Sequence, residues 1–90
     1  MTLRYKVYVS GKVQGVFYRQ STKTHADHLG VKGHVSNLPD GRVYIEAEAE
    51  EEILRAFIEW CRKGPLMAEV TDVEVITTDI AHSEDFTIRK

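Results

Sequence analysis

Between Val9 and Arg19 the apolar period of the chain changes from two to helical spacing, across Ser10-Gly11-Lys12-Val13-Gln14-Gly15-Val16-Phe17. That change fixes a strand–loop–helix unit near the start of the molecule. Before the loop, Leu3, Tyr5, Val7 and Val9 alternate with Arg4, Lys6, Tyr8 and Ser10, the pattern of a strand with one buried and one wetted face. After it, Tyr18, Thr22, Ala26 and Leu29 recur at helical spacing over Tyr18 to Leu29, and Gly30 follows as a stop. A loop that carries Gly11 and Gly15 and ends on an arginine, Arg19, suits a small anion. Backbone N–H groups left free at a helix start point one way and lie at the positive end of the helix dipole. Glycine lets the loop turn its amides inward, and arginine adds a planar fork that can take two phosphate oxygens.

The rest of the chain reads as support for that unit. Val31 to Asn37 forms a short strand, Leu38-Pro39-Asp40-Gly41 a turn, and Val43, Ile45, Ala47 and Ala49 alternate with Tyr44, Glu46 and Glu48, which makes a hairpin. Glu50-Glu51-Glu52 precedes the apolar pattern Ile53, Leu54, Phe57, Ile58 and Cys61, a helix with acidic residues against its dipole, ended by Gly64-Pro65. Alternation resumes from Glu69 through Thr78, and Phe86 and Ile88 suggest a short closing strand. The order β-α-β-β-α-β defines an α+β, ferredoxin-like sandwich with two helices on one face of an antiparallel sheet. Arg4, Lys6, Glu46, Glu48 and Glu74 fall on the outward side of the strands, as on a wetted face. The apolar stripe of the first helix is thin, so that helix depends on docking against the sheet.

Composition narrows the classes. Ninety residues, 42% hydrophobic and 29% charged, suit one domain over residues 1–90 and argue against disorder or membrane insertion. A formal charge of −2 argues against a sequence-independent nucleic-acid binder. Tyr8 and Tyr44 lie on the open sheet face as the stacking aromatics of ferredoxin-like RNA modules do, but the basic and aromatic consensus of those modules is absent. The single cysteine, Cys61, sits in an apolar helical pattern and reads as a buried thiol, and the N-terminus lacks the apolar run of a signal peptide; both point to the cytoplasm. His25 and His28 are spaced three apart with no third ligand, and no metal is assigned to them. Taken alone, Arg19 could cap a helix and Asn37 could be a turn residue before Leu38-Pro39.

Gly11-Lys12-Val13-Gln14-Gly15-Val16-Phe17-Tyr18-Arg19, with Gly33-His34-Val35-Ser36-Asn37 and Gly41-Arg42-Val43, resembles the acylphosphatase family over nearly the whole chain. The family pattern runs Gly-x-Val-Gln-Gly-Val-x-Phe-Arg and then Gly-Trp-Val-basic-Asn, with Gly-x-Val after three residues. Ala26 with Leu29-Gly30, Trp60-Cys61 before Gly64-Pro65, Ala68 with Val70, and Phe86, Ile88 and Arg89 extend the agreement. Tyr18 stands where the family has phenylalanine, His34 where it has an aromatic such as tryptophan, Ser36 where it is commonly basic, and Ala49 where glycine is usual. The resemblance implies a hydrolase of carboxyl–phosphate mixed anhydrides that uses direct attack of water, with no metal, cofactor or covalent intermediate. It implies that the side chain of Arg19 and the backbone of Gln14, Gly15, Val16, Phe17, Tyr18 and Arg19 hold the phosphoryl oxygens, and that Asn37 positions the attacking water. The expected partners are a small-molecule acyl phosphate and inorganic phosphate as product and inhibitor, with no nucleic acid or membrane, for a monomer. The alternatives are a non-catalytic regulatory module, as at the N-terminus of the hydrogenase-maturation carbamoyltransferase, and a nucleic-acid-binding ferredoxin-like module. A chain ending at Lys90 without a further domain favours the free-standing enzyme.

Overall fold

The computed structural model describes residues 1–89. Five strands, β1 (Thr2–Lys12), β2 (Lys32–Asn37), β3 (Val43–Glu50), β4 (Glu69–Thr78) and β5 (Phe86–Ile88), form one sheet in the order β4-β1-β3-β2-β5. Helices α1 (Tyr18–Leu29) and α2 (Glu51–Lys63) connect β1 to β2 and β3 to β4. β1 and β2 therefore flank β3, which brings the end of β2 beside the exit of β1. The pairings of β1 with β3 and β4, and of β2 with β3, are antiparallel; β5 adds a parallel edge to β2, with Val35 opposite Ile88. The ferredoxin-like arrangement expected from the periodicity is thus present, with one parallel pairing in an otherwise antiparallel sheet.

Alternation along the strands decides what faces the helices. Val7 and Val9 of β1, Val35 of β2 and Val43, Ile45 and Ala47 of β3 are fully buried on the inner face against Tyr18, Ala26, Leu54, Phe57 and Cys61 of the helices. Burial of apolar area contributes roughly 25 cal/mol per Å² and is the main force holding the helices down. At Gly11 the strand bulges, and a side chain there would come within 2.1 Å of the Glu69 carbonyl oxygen. Only glycine admits so close an approach. At the junction of the helices Tyr18, fully buried, donates its hydroxyl to the Cys61 carbonyl oxygen at 2.7 Å. That carbonyl belongs to the last turn of α2, whose C=O groups lack helical partners. Burial pushes the Cys61 thiol up to about 12.

The outer face corrects one expectation. Arg4 and Glu48 are not wetted: Arg4 is 4% and Glu48 6% exposed. The irregular segment 79–85 packs across them, with Ser83 Oγ accepting from Arg4 Nη1 at 3.1 Å and the Ala81 N–H donating to Glu48 Oε1 at 2.8 Å. Arg4 also bridges Glu46 at 2.9 Å and Glu48 at 3.1 Å. Burial works against the charge of both carboxylates, but the hydrogen bonds of Tyr44 and Arg4 to Glu46, and of Ala81 and Arg4 to Glu48, outweigh it and hold both below the ordinary glutamate value.

Candidate active site

β1 passes the chain to α1 through residues 13–17. At Gly15, φ is 75° and an added side chain would meet nothing within 4 Å, so the position requires the positive φ and not the space. Phe17, the residue before α1, is also left-handed at φ 64° and ψ 24°, and no side chain caps the helix. A phenylalanine in that conformation costs on the order of 1 kcal/mol, which the surrounding fold must over-determine. The first helical bond runs from the Ser21 N–H to the Phe17 carbonyl at 3.0 Å. Among the described residues, the amides from Gly15 to Gln20 find no acceptor in the protein. They lie at the positive end of α1, where unpaired N–H donors and the helix dipole together favour an anion.

All of this stretch but Val16 borders a cavity of about 500 Å³. Gly15, Phe17, Tyr18 and Arg19 line it from the loop and the start of α1, and Asn37 lines it from the end of β2. Of the residues expected from the sequence, Gln14 and Val16 do not line it: the Gln14 side chain is committed elsewhere and Val16 is buried in the core. Val13, Gln20 and Ile88 complete the wall and were not anticipated. Ile88 arrives through the parallel register of β5 with β2, a tertiary pairing that periodicity alone does not specify.

The two side chains with chemical capacity are both unspent. Among the described residues, Arg19 has no hydrogen-bond or ion-pair partner in the protein, and Asn37 Oδ1 is buried without a hydrogen bond. A buried acceptor left bare costs about 1 to 3 kcal/mol, so this carboxamide oxygen sits where a water or ligand can satisfy it. Asn37 faces the cavity because it continues the inner-face alternation of Gly33 and Val35; its partner across the register is the buried Val43. A polar residue at an inner-face position was the available sequence signal. Gln14 then joins the two halves of the site. Its Nε2 donates to the Leu38 carbonyl at 2.8 Å and to the Arg42 carbonyl at 3.0 Å, which pins the loop to the turn following Asn37.

A second hollow, of about 340 Å³, shares Phe17 and Gln20 with the first and continues to Trp60, His25 and Pro65. His25 stacks on Trp60, with ring centroids 4.8 Å apart and planes 17° apart. Among the described residues no three His, Cys, Asp or Glu side chains come together in a metal-binding group, and no helix is long and apolar enough to cross a membrane. On the outer face Tyr8 and Tyr44 pack at 5.0 Å, the Arg42 guanidinium lies over Tyr8 at 4.9 Å, and the Tyr44 hydroxyl donates to Glu46 at 2.6 Å.

Fold and site together define a ferredoxin-like α+β protein with unpaired amides where β1 enters α1 and a bare carboxamide oxygen beside them. A model of the acylphosphatase family matches residues 5–88. The acylphosphatase of Marinobacter nauticus is 50% identical over 84 residues, which are 93% of this chain and 89% of that protein. The crystal structure of acylphosphatase from Bacillus subtilis superposes with a TM-score of 0.95 at 36% identity, covering 98% of this chain and 99% of that one. Full-length HypF, solved in a phosphate- and nucleotide-bound form, contains a segment of similar structure: TM-score 0.90, 26% identity, 100% of this chain but 12% of HypF. The chain belongs to the acylphosphatase family, enzymes that hydrolyse the carboxyl–phosphate bond of acyl phosphates.

Proposed function

We propose that residues 1–90 form one domain that carries the whole reaction, with Arg19 and the loop amides gripping the phosphoryl group and Asn37 orienting the water that attacks it. The reading rests on one observation: a guanidinium and a buried Asn37 Oδ1, both without partners among the described residues, border the same cavity as Gly15, Phe17, Tyr18 and Gln20, whose amides are unsatisfied. In this arrangement Oδ1 accepts a hydrogen bond from water. The water oxygen forms the new P–O bond as the bond from phosphorus to the acyl oxygen breaks, and carboxylate leaves. The water proton passes to a phosphoryl oxygen, so a strong general base is dispensable. Phosphoryl transfer through a loose transition state asks mainly for positioning and for charge stabilisation on the equatorial oxygens, which Arg19 and the amides supply. Inorganic phosphate, as product, competes for the same donors. A monomer working in the cytoplasm completes the proposal; the single thiol, buried and raised, is consistent with a protein that does not depend on disulfides.

The likeness to a segment of HypF favours a second reading, a phosphate-binding module without turnover. Phosphate release from acetyl phosphate and benzoyl phosphate, with competition by inorganic phosphate, separates the two. Turnover is expected; intact phosphate binding without turnover would establish the module instead. Arg19→Ala should remove measurable turnover and weaken phosphate binding, one preorganised charged donor contributing about 3 to 4 kcal/mol to a transition state. Asn37→Ala should lower kcat by about 10² or more while phosphate affinity survives. A change in KM alone for Asn37→Ala would reject the water-positioning role.

A further inference from the structure

We infer that the hollow between the phosphate cradle and the Trp60–His25 stack is the binding site for the acyl end of the substrate, and that it selects planar aromatic acyl groups over small or charged ones. The inference rests on the proposed reaction, since it takes the phosphoryl group to lie in the cradle. With phosphate on the amides of Gly15 to Gln20, the acyl group must leave along a wall of that cavity. Phe17 and Gln20 border both spaces, so they form the passage from one to the other.

The walls of the second hollow carry the specificity. Phe17 is 75% exposed, a position a large apolar side chain gains nothing from unless something covers it. Its left-handed backbone holds the ring at the boundary of the two spaces instead of letting it fold into the core, where its neighbours Val16 and Tyr18 lie. In the same hollow, the half-buried indole of Trp60 is braced by Tyr18 at 5.5 Å and by the near-parallel His25 ring at 4.8 Å. Pro65 also lines the hollow, and Ser21 and Thr24 add hydroxyls. Phe17 and the braced Trp60–His25 pair thus give apolar ring surfaces on which a flat acyl group can lie. Among the described residues, no lysine, arginine or carboxylate borders this hollow. A negatively charged acyl substituent would lose water there without gaining a charged partner among these residues.

Non-hydrolysable methylene analogues test the site without relying on turnover. Binding of phenacylphosphonate, acetonylphosphonate and inorganic phosphate is measured calorimetrically on the wild type, His25→Ala and Thr24→Trp; the last fills the hollow from an exposed position on α1. Phenacylphosphonate should bind wild type about tenfold more tightly than acetonylphosphonate, the selectivity that covering one phenyl ring supplies. Both variants should reduce that ratio to about twofold or less and leave inorganic phosphate affinity unchanged, with thermal melts confirming the fold. Equal affinities in the wild type, or a ratio unchanged in both variants, would overturn the assignment. Hydrolysis of acetyl and benzoyl phosphate is followed in parallel. Phosphonate selectivity without hydrolysis would reject the catalytic reading alone, whereas hydrolysis without selectivity would reject the acyl site alone.

Discussion

Tyr18 illustrates how one substitution against a family pattern is absorbed. Where the family has phenylalanine, its extra hydroxyl reaches the Cys61 carbonyl at 2.7 Å and so satisfies a C=O that α2 cannot. The ring also packs over Gly64, where an added side chain would come within 2.7 Å of Tyr18 Cε2. Tyr18→Phe leaves that carbonyl buried and bare, and should lower stability by about 1 to 2 kcal/mol, a fall in Tm of about 5 to 10 °C for a domain of this size. An unchanged Tm would mean the carbonyl finds another donor. The sequence marked Tyr18 as a departure but not its partner, because the contact joins the start of α1 to the end of α2. Asn37 was more legible than a lone turn residue suggests. It falls two after Val35 and four after Gly33, so its side chain had to point inward, and an amide on an inner face at a strand end needs a partner. What periodicity left open was which loop it would meet.

At the level of elements, the strands and helices follow from hydrophobic period because each buries one face and wets the other. The exceptions arise where irregular chain covers a face: Arg4 and Glu48 read as outward and are buried by segment 79–85, which has no period of its own. The site likewise depends on a junction between elements. The loop comes from the exit of β1 and Asn37 from the end of β2, and Gln14 ties them by donating both of its amide hydrogens to the Leu38 and Arg42 carbonyls. The turn itself is closed by the Leu38 N–H to Arg42 carbonyl bond at 2.8 Å and held by the Asp40 carboxylate on the Arg42 N–H at 3.1 Å. Gln14→Ala removes the tie without altering the Arg19 or Asn37 side chain itself, so the loop that carries Arg19 can shift against Asn37. Loss of two part-buried hydrogen bonds should lower stability by about 1 to 3 kcal/mol. A cradle displaced by even 1 Å from the attacking water should reduce kcat/KM by about 10²-fold. Gln14→Glu should not rescue activity, since a carboxylate cannot donate to two carbonyl oxygens. Restored activity in Gln14→Glu, or kcat/KM near wild type in Gln14→Ala, would remove Gln14 from the positioning role.

Across the whole molecule the two faces of the sheet carry separate tasks. The inner face holds the core and, at one end, the site; the outer face holds a polar network centred on Arg4, Glu46, Glu48 and His34. His34 is 7% exposed, its Nδ1 has no partner among the described residues, and its Nε2 lies 3.5 Å from Glu46 Oε2. Burial lowers its pKa first, the charges of Arg89 and Arg4 add to this, and Glu46 only partly opposes them. The imidazole is therefore neutral in the fold at pH values where the unfolded chain takes up a proton. With a folded pKa below the ordinary 6.5, stability is complete above that value and falls as pH drops through 6.5 toward the folded pKa. Its slope cannot exceed about 1.4 kcal/mol per pH unit, the limit for one proton. Glu46 and Glu48 give a second loss at lower pH, because carboxylates held below 4.5 in the fold stabilise it above that value and cease to do so as they are protonated. Melting curves from pH 7.5 to 3.5 should therefore have two descending limbs. His34→Phe, which restores an aromatic at a position where the family has one, should abolish the upper limb and leave the lower one. The same variant should leave phosphate affinity unchanged, since His34 alternates onto the face opposite Asn37. An upper limb that persists in His34→Phe would assign the first acid loss to another group and make His34 a packing residue without a role in pH stability.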